Sequence, residues 1–298
     1  MKLIKQSLSF FIFIQFFCLY SVTYAITLVL PAAGDVVGKV QYISAGPNET
    51  IDEIGRRFDI GYYEMVRANP QVDLKHSLAA SSQIVIPSQF ILPSVSRKGI
   101  VINLAEYRLY YFPENENVVL TFPVGIGRKG WITPIGITKI IAKQVNPKWS
   151  PTENLRAEAL KYGDPLPDTF PSGPHNPLGK YTLRLGWPTF LIHGTNRPEG
   201  VGARVSAGCI RMLPEDIEYL FGLISVGTQV RIINEPVKIG KQDGALFLQI
   251  HPLLSEEKDL SLQSLLQKQL NIFDVAHWSS NKIIQNEIAY PSGLVRKI

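Results

Sequence analysis

A cysteine and a histidine sixteen positions apart are the residues of this sequence best suited to covalent chemistry. The run IHGT contains His193, and the later run SAGCIR contains Cys209. A thiol is a weak nucleophile until it loses its proton, and a nearby imidazole can take that proton. We therefore predict that Cys209 is the nucleophile of an acyl-transfer reaction and that His193 is its base. A core histidine beside an inert, buried cysteine is the alternative at this point.

The residues around the thiol add donors and positive charge. Gly208 allows a substrate to approach the backbone closely, and the N–H groups of Gly208 and Cys209 are predicted to form an oxyanion hole. Arg204 and Arg211 flank the cysteine, where their charge would favour the thiolate or hold a substrate carboxylate.

The first 25 residues have the three parts of a secretory signal peptide. Lys2 and Lys5 precede an almost wholly apolar stretch over residues 8–20, and Thr23-Tyr24-Ala25 offers small residues for cleavage after Ala25. A membrane anchor is the alternative, but an apolar core of roughly a dozen residues is short for a bilayer span. Cleavage would remove Cys18 and leave a single thiol, which cannot form an internal disulfide. We expect an exported, periplasmic protein.

Composition and motifs exclude several classes of function. With 45% hydrophobic and 18% charged residues, the chain can bury a core and is not disordered. The net charge of +5 includes no dense Lys/Arg run, so nucleic-acid binding is not expected. The G-x-G-x-x-G pattern at 125–130 is followed by residues that cannot start a helix, which rejects a dinucleotide site. The other histidines are scattered, so we expect no metal and no cofactor; they are His76, His175, His251 and His277.

Residues 40–88 are predicted to form a small unit with the order strand, helix, helix, strand. Thr50 and Glu53 have the spacing of a capping box at the start of the first helix. The second helix is predicted over 62–68, because Asn69-Pro70 would end it. This order, closed by Ile86-Pro87, resembles a LysM module, a small peptidoglycan-binding fold. A purely structural spacer is the alternative.

Residues 96–235 are predicted to be mostly antiparallel β-structure, since apolar runs alternate with Pro and Gly. One long irregular insertion is expected over 144–179, where ordered loops of such length are usually functional. One prominent helix is predicted after the cysteine, with Pro214 in its first turn. Residues 26–39 read as a lead-in, and residues 236–298 as a C-terminal subdomain with one amphipathic stretch. Strands account for most of the predicted elements, so the fold class is mainly β.

The segment around His193 and Cys209 resembles the active-site signature of the L,D-transpeptidases, whose catalytic region is the YkuD domain. Supporting motifs follow in the family's order at 125–127, 133–136 and 176–179. The resemblance covers roughly residues 96–250, and with the LysM-like module it extends to the ErfK-like subgroup. Ala207 stands where the family often has histidine, while Ser206 and Arg211 are retained.

The resemblance implies a catalytic β-sandwich or barrel in which Cys209 attacks a peptidoglycan stem peptide. The attack falls between the diamino acid and the terminal D-alanine and leaves a thioester, which an amine resolves. It further implies that His193 is the general base and that the Gly194 carbonyl orients it. The acceptor amine would belong to another stem peptide or to an outer-membrane lipoprotein. The alternatives are an L,D-carboxypeptidase or other cysteine peptidase on wall peptides, and a non-catalytic wall-binding protein.

Overall fold

The computed structural model describes residues 25–74, 76–275 and 278–298. Most of the predicted signal peptide, with Cys18, lies outside the described residues, as does His277. Within the described ranges, none of the helices is long and apolar enough to cross a membrane.

A nine-stranded sheet forms the centre of the molecule. Its strands, in chain order, are β1 (Ile26–Val29), β6 (Gly99–Asn103), β7 (Arg108–Phe112), β8 (Val118–Pro123), β10 (Gly136–Val145), β11 (Tyr181–Leu185), β12 (Leu191–His193), β14 (Ile210–Arg211) and β15 (Gln229–Ile233). Their spatial order is β1-β8-β7-β6-β15-β10-β11-β12-β14. All neighbours are antiparallel except the β6–β15 and β12–β14 pairs. Strands outnumber helices throughout, so the prediction of a mainly β fold is confirmed.

Both faces of the sheet are covered at β6, where every residue is buried. On one face Ile100 and Ile102 pack into a core shared with α4 (Pro214–Leu223). On the other face Val101 and Tyr110 pack against the N-terminal unit. Successive residues of a strand point to opposite faces, so one strand supplies both cores. The sheet thereby holds the later chain segments and the N-terminal unit on opposite sides.

The N-terminal unit contains β3 (Gln41–Ser44), α1 (Ile51–Arg57), α2 (Tyr62–Ala68) and β4 (Gln83–Ile86). The two strands pair antiparallel, and the predicted capping box at Thr50 and Glu53 is present. The order of elements is the predicted one. The comparison with a LysM module and the boundaries at 40 and 88 stay predictions.

The lead-in and the insertion are more regular than expected. Residues 26–39 contain β1, which extends the large sheet beside β8, and β2 (Val36–Gly38), which pairs with β5 (Gln89–Ile91). The insertion contains α3 (Glu153–Lys161), which begins at a Thr152 side-chain cap. The prediction of a wholly irregular insertion was wrong. Its helix has no fully buried residue and hence little apolar periodicity to detect.

The C-terminal residues form a subdomain with its own core. It contains β16 (Val237–Gln242), β17 (Ala245–Ile250) and β18 (Arg296–Lys297) in one sheet, covered by α5 (Leu262–Ile272) and α6 (Lys282–Ala289). The predicted amphipathic stretch corresponds to α5. A buried ion pair of 2.6 Å between Lys238 and Glu106 joins the subdomain to the large sheet. The remaining elements are the two-stranded β9 (Ile126–Gly127) and β13 (Arg204–Ser206), with short 3-10 turns at Pro198–Gly200 and Trp278–Ser280.

Candidate active site

The parallel pair of β12 and β14 brings the predicted catalytic residues to one face. His193 is in register with Arg211, and the Met212 N–H donates to the His193 carbonyl at 2.9 Å. Side chains alternate along a strand, so Cys209 and Arg211 share a face with His193. Both catalytic candidates line the same cavity of about 650 Å³. The structure therefore brings together two residues that the sequence places sixteen positions apart.

The His193 ring is held by its own neighbour. Its Nδ1 lies 2.6 Å from the Gly194 carbonyl oxygen. A carbonyl can only accept a hydrogen bond, which assigns the proton to Nδ1 and leaves the Nε2 lone pair free as a base. Burial, and after it the charge of Arg211, lowers the pKa of His193 to about 4. The imidazole is therefore neutral, and able to accept a proton, at neutral pH.

Cys209 is half-buried, and its thiol lies 3.5 Å from the Thr189 carbonyl. Burial raises the pKa of the Cys209 thiol, while a backbone hydrogen bond from Leu191 and the charge of Arg211 act in the opposite direction. Both members of the pair are thus uncharged at rest. The geometry favours proton transfer that accompanies nucleophilic attack over a preformed thiolate–imidazolium pair.

The turn before the nucleophile is fixed by hydroxyl groups. Ser206 Oγ donates to the Cys209 carbonyl at 2.5 Å and accepts the Gly208 N–H at 3.1 Å. Thr133 Oγ1 donates to the Gly208 carbonyl at 2.8 Å. Gly208 has a φ of +102°, and a Cβ there would lie 2.9 Å from the Phe190 ring. Only glycine fits this position.

The prediction that the Gly208 N–H is a donor of the oxyanion hole was wrong. The Gly208 N–H is already engaged by Ser206, so it is not a free donor for an oxyanion. The function of Gly208 is conformational, and of the two predicted donors the Cys209 N–H remains. Thr133 belongs to a motif that the sequence flagged, but its contact with Gly208 spans 75 positions and could be found only in three dimensions.

The two predicted arginines lie in different surroundings. Arg211 lines the cavity, and its Nε has no hydrogen-bond partner among the described residues. Arg204 instead forms a bidentate ion pair with Glu256 of the C-terminal subdomain, at 2.7 and 2.8 Å. Arg204 is not among the residues that line the cavity, and its Nε donates to the Gly127 carbonyl at 3.1 Å. The prediction that Arg204 flanks the thiol was wrong.

The insertion forms one wall of the cavity. Trp149 and the first turn of α3 line it opposite Trp131 and Phe190. An ion pair between Arg128 and Glu158 ties the wall to the strand side, and Trp131 Nε1 donates to the same carboxylate at 3.2 Å. None of these aromatic residues was predicted as a site residue. The sequence predicted only that the insertion containing Trp149 would be functional, and Trp131 and Phe190 lie outside that insertion.

A second cavity of about 350 Å³ adjoins the first. The two share several lining residues, which are Trp149, Thr152, Leu178, Thr189 and Leu191. The insertion thus separates two hollows that meet close to the Cys209 thiol.

The chain is similar to proteins of one known family. Residues 97–232 match the L,D-transpeptidase catalytic domain. Over 96% of its length, the chain is 37% identical to the Probable L,D-transpeptidase YcfS of Escherichia coli K12, covering 92% of that protein. The chain belongs to the L,D-transpeptidase family. The Probable L,D-transpeptidase ErfK/SrfK of the same organism is 42% identical over 78% of this chain and 76% of its own length.

Solved L,D-transpeptidase structures resemble the enzyme more distantly. The catalytic domain of the Enterococcus faecium L,D-transpeptidase, determined by NMR, has a TM-score of 0.37 and 23% identity, covering 47% of this chain and all of that domain. Members of the family act on peptidoglycan peptides, and their place of action is outside the cytoplasm. The chain is accordingly an L,D-transpeptidase enzyme.

Proposed function

We propose that this L,D-transpeptidase uses Cys209 and His193 to cut a peptidoglycan stem peptide between its diamino acid and the terminal D-alanine. The acyl group is then passed to an amine. The observation that carries the proposal is the cavity that His193 and Cys209 share. There a neutral imidazole with a fixed tautomer and a thiol lie on the same face of the β12–β14 pair.

The residues account for each proton. The thiol proton passes to His193 Nε2 as the sulfur bonds to the carbonyl carbon, and negative charge develops on the carbonyl oxygen near the Cys209 N–H. The intermediate collapses as the C–N bond breaks, and the imidazolium gives its proton to the leaving D-alanine amine. An acceptor amine then attacks the thioester and loses its proton to the same imidazole. The C–S bond breaks, and the imidazolium returns the proton to the sulfur.

Substrate placement follows from the charge and shape of the two cavities. Arg128 and Arg211 both line the first cavity, and Arg128 is already paired with Glu158. Arg211 would therefore hold a carboxylate of the donor peptide. The second cavity joins the first at Thr189 and Leu191, where an acceptor amine would reach the thioester. The acceptor would come from a second stem peptide or from an outer-membrane lipoprotein. The apolar wall of Trp149 and Phe190 disfavours water as the competing acceptor.

The rest of the chain fits work in the periplasm. We propose that residues 1–25 are a signal peptide removed on export, and that residues 40–88 act as a LysM-like glycan-binding module. Residues 96–235 would be the catalytic domain and residues 236–298 a supporting subdomain, which holds Arg204 through Glu256.

Covalent labelling tests the nucleophile. Incubation with a carbapenem, which acylates thiols of this family, is expected to add one adduct to the intact mass of the enzyme. Peptide mapping should place it on Cys209, and Cys209→Ala should lose it completely while keeping the wild-type circular dichroism. Absence of an adduct on the folded wild-type enzyme would support a non-catalytic wall-binding protein.

A product assay separates transfer from hydrolysis. With purified disaccharide-tetrapeptide, mass spectrometry should detect dimers joined between two diamino acids. Free tripeptide as the sole product would contradict the proposal and identify an L,D-carboxypeptidase.

A further inference from the structure

The first strand begins beside two buried carboxyl groups. Asp59 follows α1, and Asp216 is the third residue of α4; the two residues are 6% and 2% exposed. Their carboxyls lie within hydrogen-bonding reach of each other. The Ile26 nitrogen, at the start of β1, donates to Asp59 Oδ2 at 3.2 Å. Three elements thus meet at one acidic pair.

Over residues 25–74, 76–275 and 278–298, no cationic side chain forms an ion pair with either carboxyl group. The nearest guanidinium, Arg108, forms a bidentate pair with Glu64 at 2.8 Å for both bonds. Its other hydrogen bonds go to the Thr121 hydroxyl and the Asp59 main-chain carbonyl, not to the Asp59 carboxylate. Two carboxyl oxygens, Asp59 Oδ1 and Asp216 Oδ2, have no donor among the described residues.

The pKa values of both carboxyl groups are raised, as expected for buried acids without a paired cation. Burial raises the pKa of Asp59 to about 7, with Arg108 opposing the shift and Glu64 adding to it. Burial also raises the pKa of Asp216, to which the charges of Asp59 and Glu215 add. Buried carboxylates are normally stabilised by a paired cation.

We propose that the α-ammonium group released at Ile26 by signal-peptide cleavage is the cation of this pair, so that export completes the fold around the active site. The proposal rests on the cleavage after Ala25 put forward above. Water hydrolyses the Ala25–Ile26 bond, with hydroxyl going to the Ala25 carbonyl carbon and hydrogen to the Ile26 nitrogen. The nitrogen takes up one further proton, and the ammonium then neutralises one carboxylate.

The position of this nitrogen is fixed by the sheet. Ile26 is in register with Thr121 of β8, and Thr121 accepts a hydrogen bond from Arg108. The new ammonium group would therefore form beside the acidic pair without a rearrangement. Ala25 has a φ of +122°, which is unfavourable for a residue with a Cβ, and cleavage removes that constraint.

The acidic pair is connected to the catalytic residues through α4. Asp216 lies in the first turn of this helix, which follows the nucleophile strand after two residues. Its neighbour Ile217 packs so close to Gly194 that a Cβ there would lie 3.1 Å from the Ile217 side chain. An ion pair at Asp216 would hold this turn against the segment that orients His193. Ile26 and Asp59 are positioning residues in this scheme.

The test compares two chains that both run to Ile298 and differ only at the N-terminus. One begins at Ile26, and the other keeps Gly-Ala25 in front of it; each is made with Asp59 and as Asp59→Asn. Asparagine still accepts an N–H but carries no charge. Asp35→Asn is the matched control, because the Asp35 carboxylate also accepts a backbone N–H, from Lys241, at a half-exposed site.

In the chain beginning at Ile26, the α-amine should titrate at least one unit above the ordinary 7.7–8.0, about a tenfold rise in proton affinity. Its rate of reaction with acetic anhydride against pH measures this. Asp59→Asn should abolish the shift, and Asp35→Asn should leave it unchanged. An α-amine that titrates at its ordinary value, or an exported protein whose N-terminal sequence does not start at Ile26, would overturn the proposal.

Thermal unfolding gives a second readout with a defined sign. In the extended chain folding raises the pKa of Asp59 to about 7, so the contribution of this carboxyl to stability is fully present below about pH 4 and is lost as the pH rises through about 7. In the mature chain the ammonium pairs with the carboxylate, and stability should hold until the α-amine deprotonates above pH 8. Identical pH profiles for the two chains would contradict the ion pair. Carbapenem labelling of Cys209 on the same samples tests the proposed function separately, since labelling can fail while the amine shift is present.

Discussion

The catalytic cavity and the junction between the N-terminal unit and the sheet both bury ionisable side chains. These side chains are neutral in the cavity and ionised at the junction. In the cavity His193 and Cys209 have no ion-pair partner within the described part of the chain, and burial shifts the pKa of each towards the neutral form. At the junction Arg108 and Glu64 are fully buried as a bidentate ion pair. Burial lowers the pKa of Arg108, but the charge and hydrogen bonds of Glu64, with smaller contributions from Tyr110 and Asp59, raise it above its ordinary value.

The difference shows how the same desolvation serves reactivity in one place and architecture in another. A buried group without a counter-charge stays neutral and remains available for proton transfer. A buried group with a well-placed counter-charge stays ionised and resists any change of partner. Before the signal peptide is cleaved, the Asp59–Asp216 pair is buried without a counter-charge, as His193 and Cys209 are. In our proposal, cleavage turns it into a buried ion pair, as Arg108 and Glu64 are.

Removal of the base should have the largest effect. His193→Gln is expected to slow carbapenem acylation of Cys209 by about 10²–10⁴-fold, because no group then accepts the thiol proton. In the wild type the rate should stay level from pH 7 down to about 5 and fall as the pH approaches 4, where the imidazole becomes protonated. Mass spectrometry of samples quenched at fixed times across this pH range measures the acylation rates of the variant and of the wild type. A fall centred near pH 6.5 would show that the imidazole is not desolvated.

Breaking the junction should reduce stability rather than chemistry. Glu64→Gln leaves the Arg108 charge buried and unpaired, which should lower the free energy of unfolding by about 3–5 kcal/mol. Asp52→Asn is the control, since the Asp52–Arg56 pair is about one-third exposed and should contribute less than about 1 kcal/mol. Denaturant unfolding compares the two. Equal losses would mean that burial does not distinguish these ion pairs.

The two arginines near the thiol in sequence give the smallest and sharpest contrast. Arg211→Met should slow acylation by a stem-peptide donor about 10–100-fold, as expected for loss of a charged hydrogen bond. Arg204→Met should leave that rate within about threefold and lower stability by about 1 kcal/mol through loss of the Glu256 pair. Steady-state kinetics and thermal unfolding of both variants test this. A larger kinetic effect at Arg204 would contradict the geometry.

Local sequence signals determined the local structure. The Thr50 and Glu53 capping box and Pro214 in the first turn of α4 each predicted an element that the structure contains. The sequence around His193 and Cys209 likewise carried the resemblance to the L,D-transpeptidase family, to which the chain belongs. These signals act over a few residues, or within one motif, and are therefore readable without the fold.

Only the tertiary structure decided which partners the charged residues take. Arg204 pairs with Glu256 at a separation of 52 positions, and the Ile26 nitrogen reaches Asp59 across 33. The engagement of the Gly208 N–H by Ser206, and the helix inside the insertion, also went undetected. An ion pair or a hydrogen bond depends on distance and burial, and these are set by packing between elements that the sequence lists far apart.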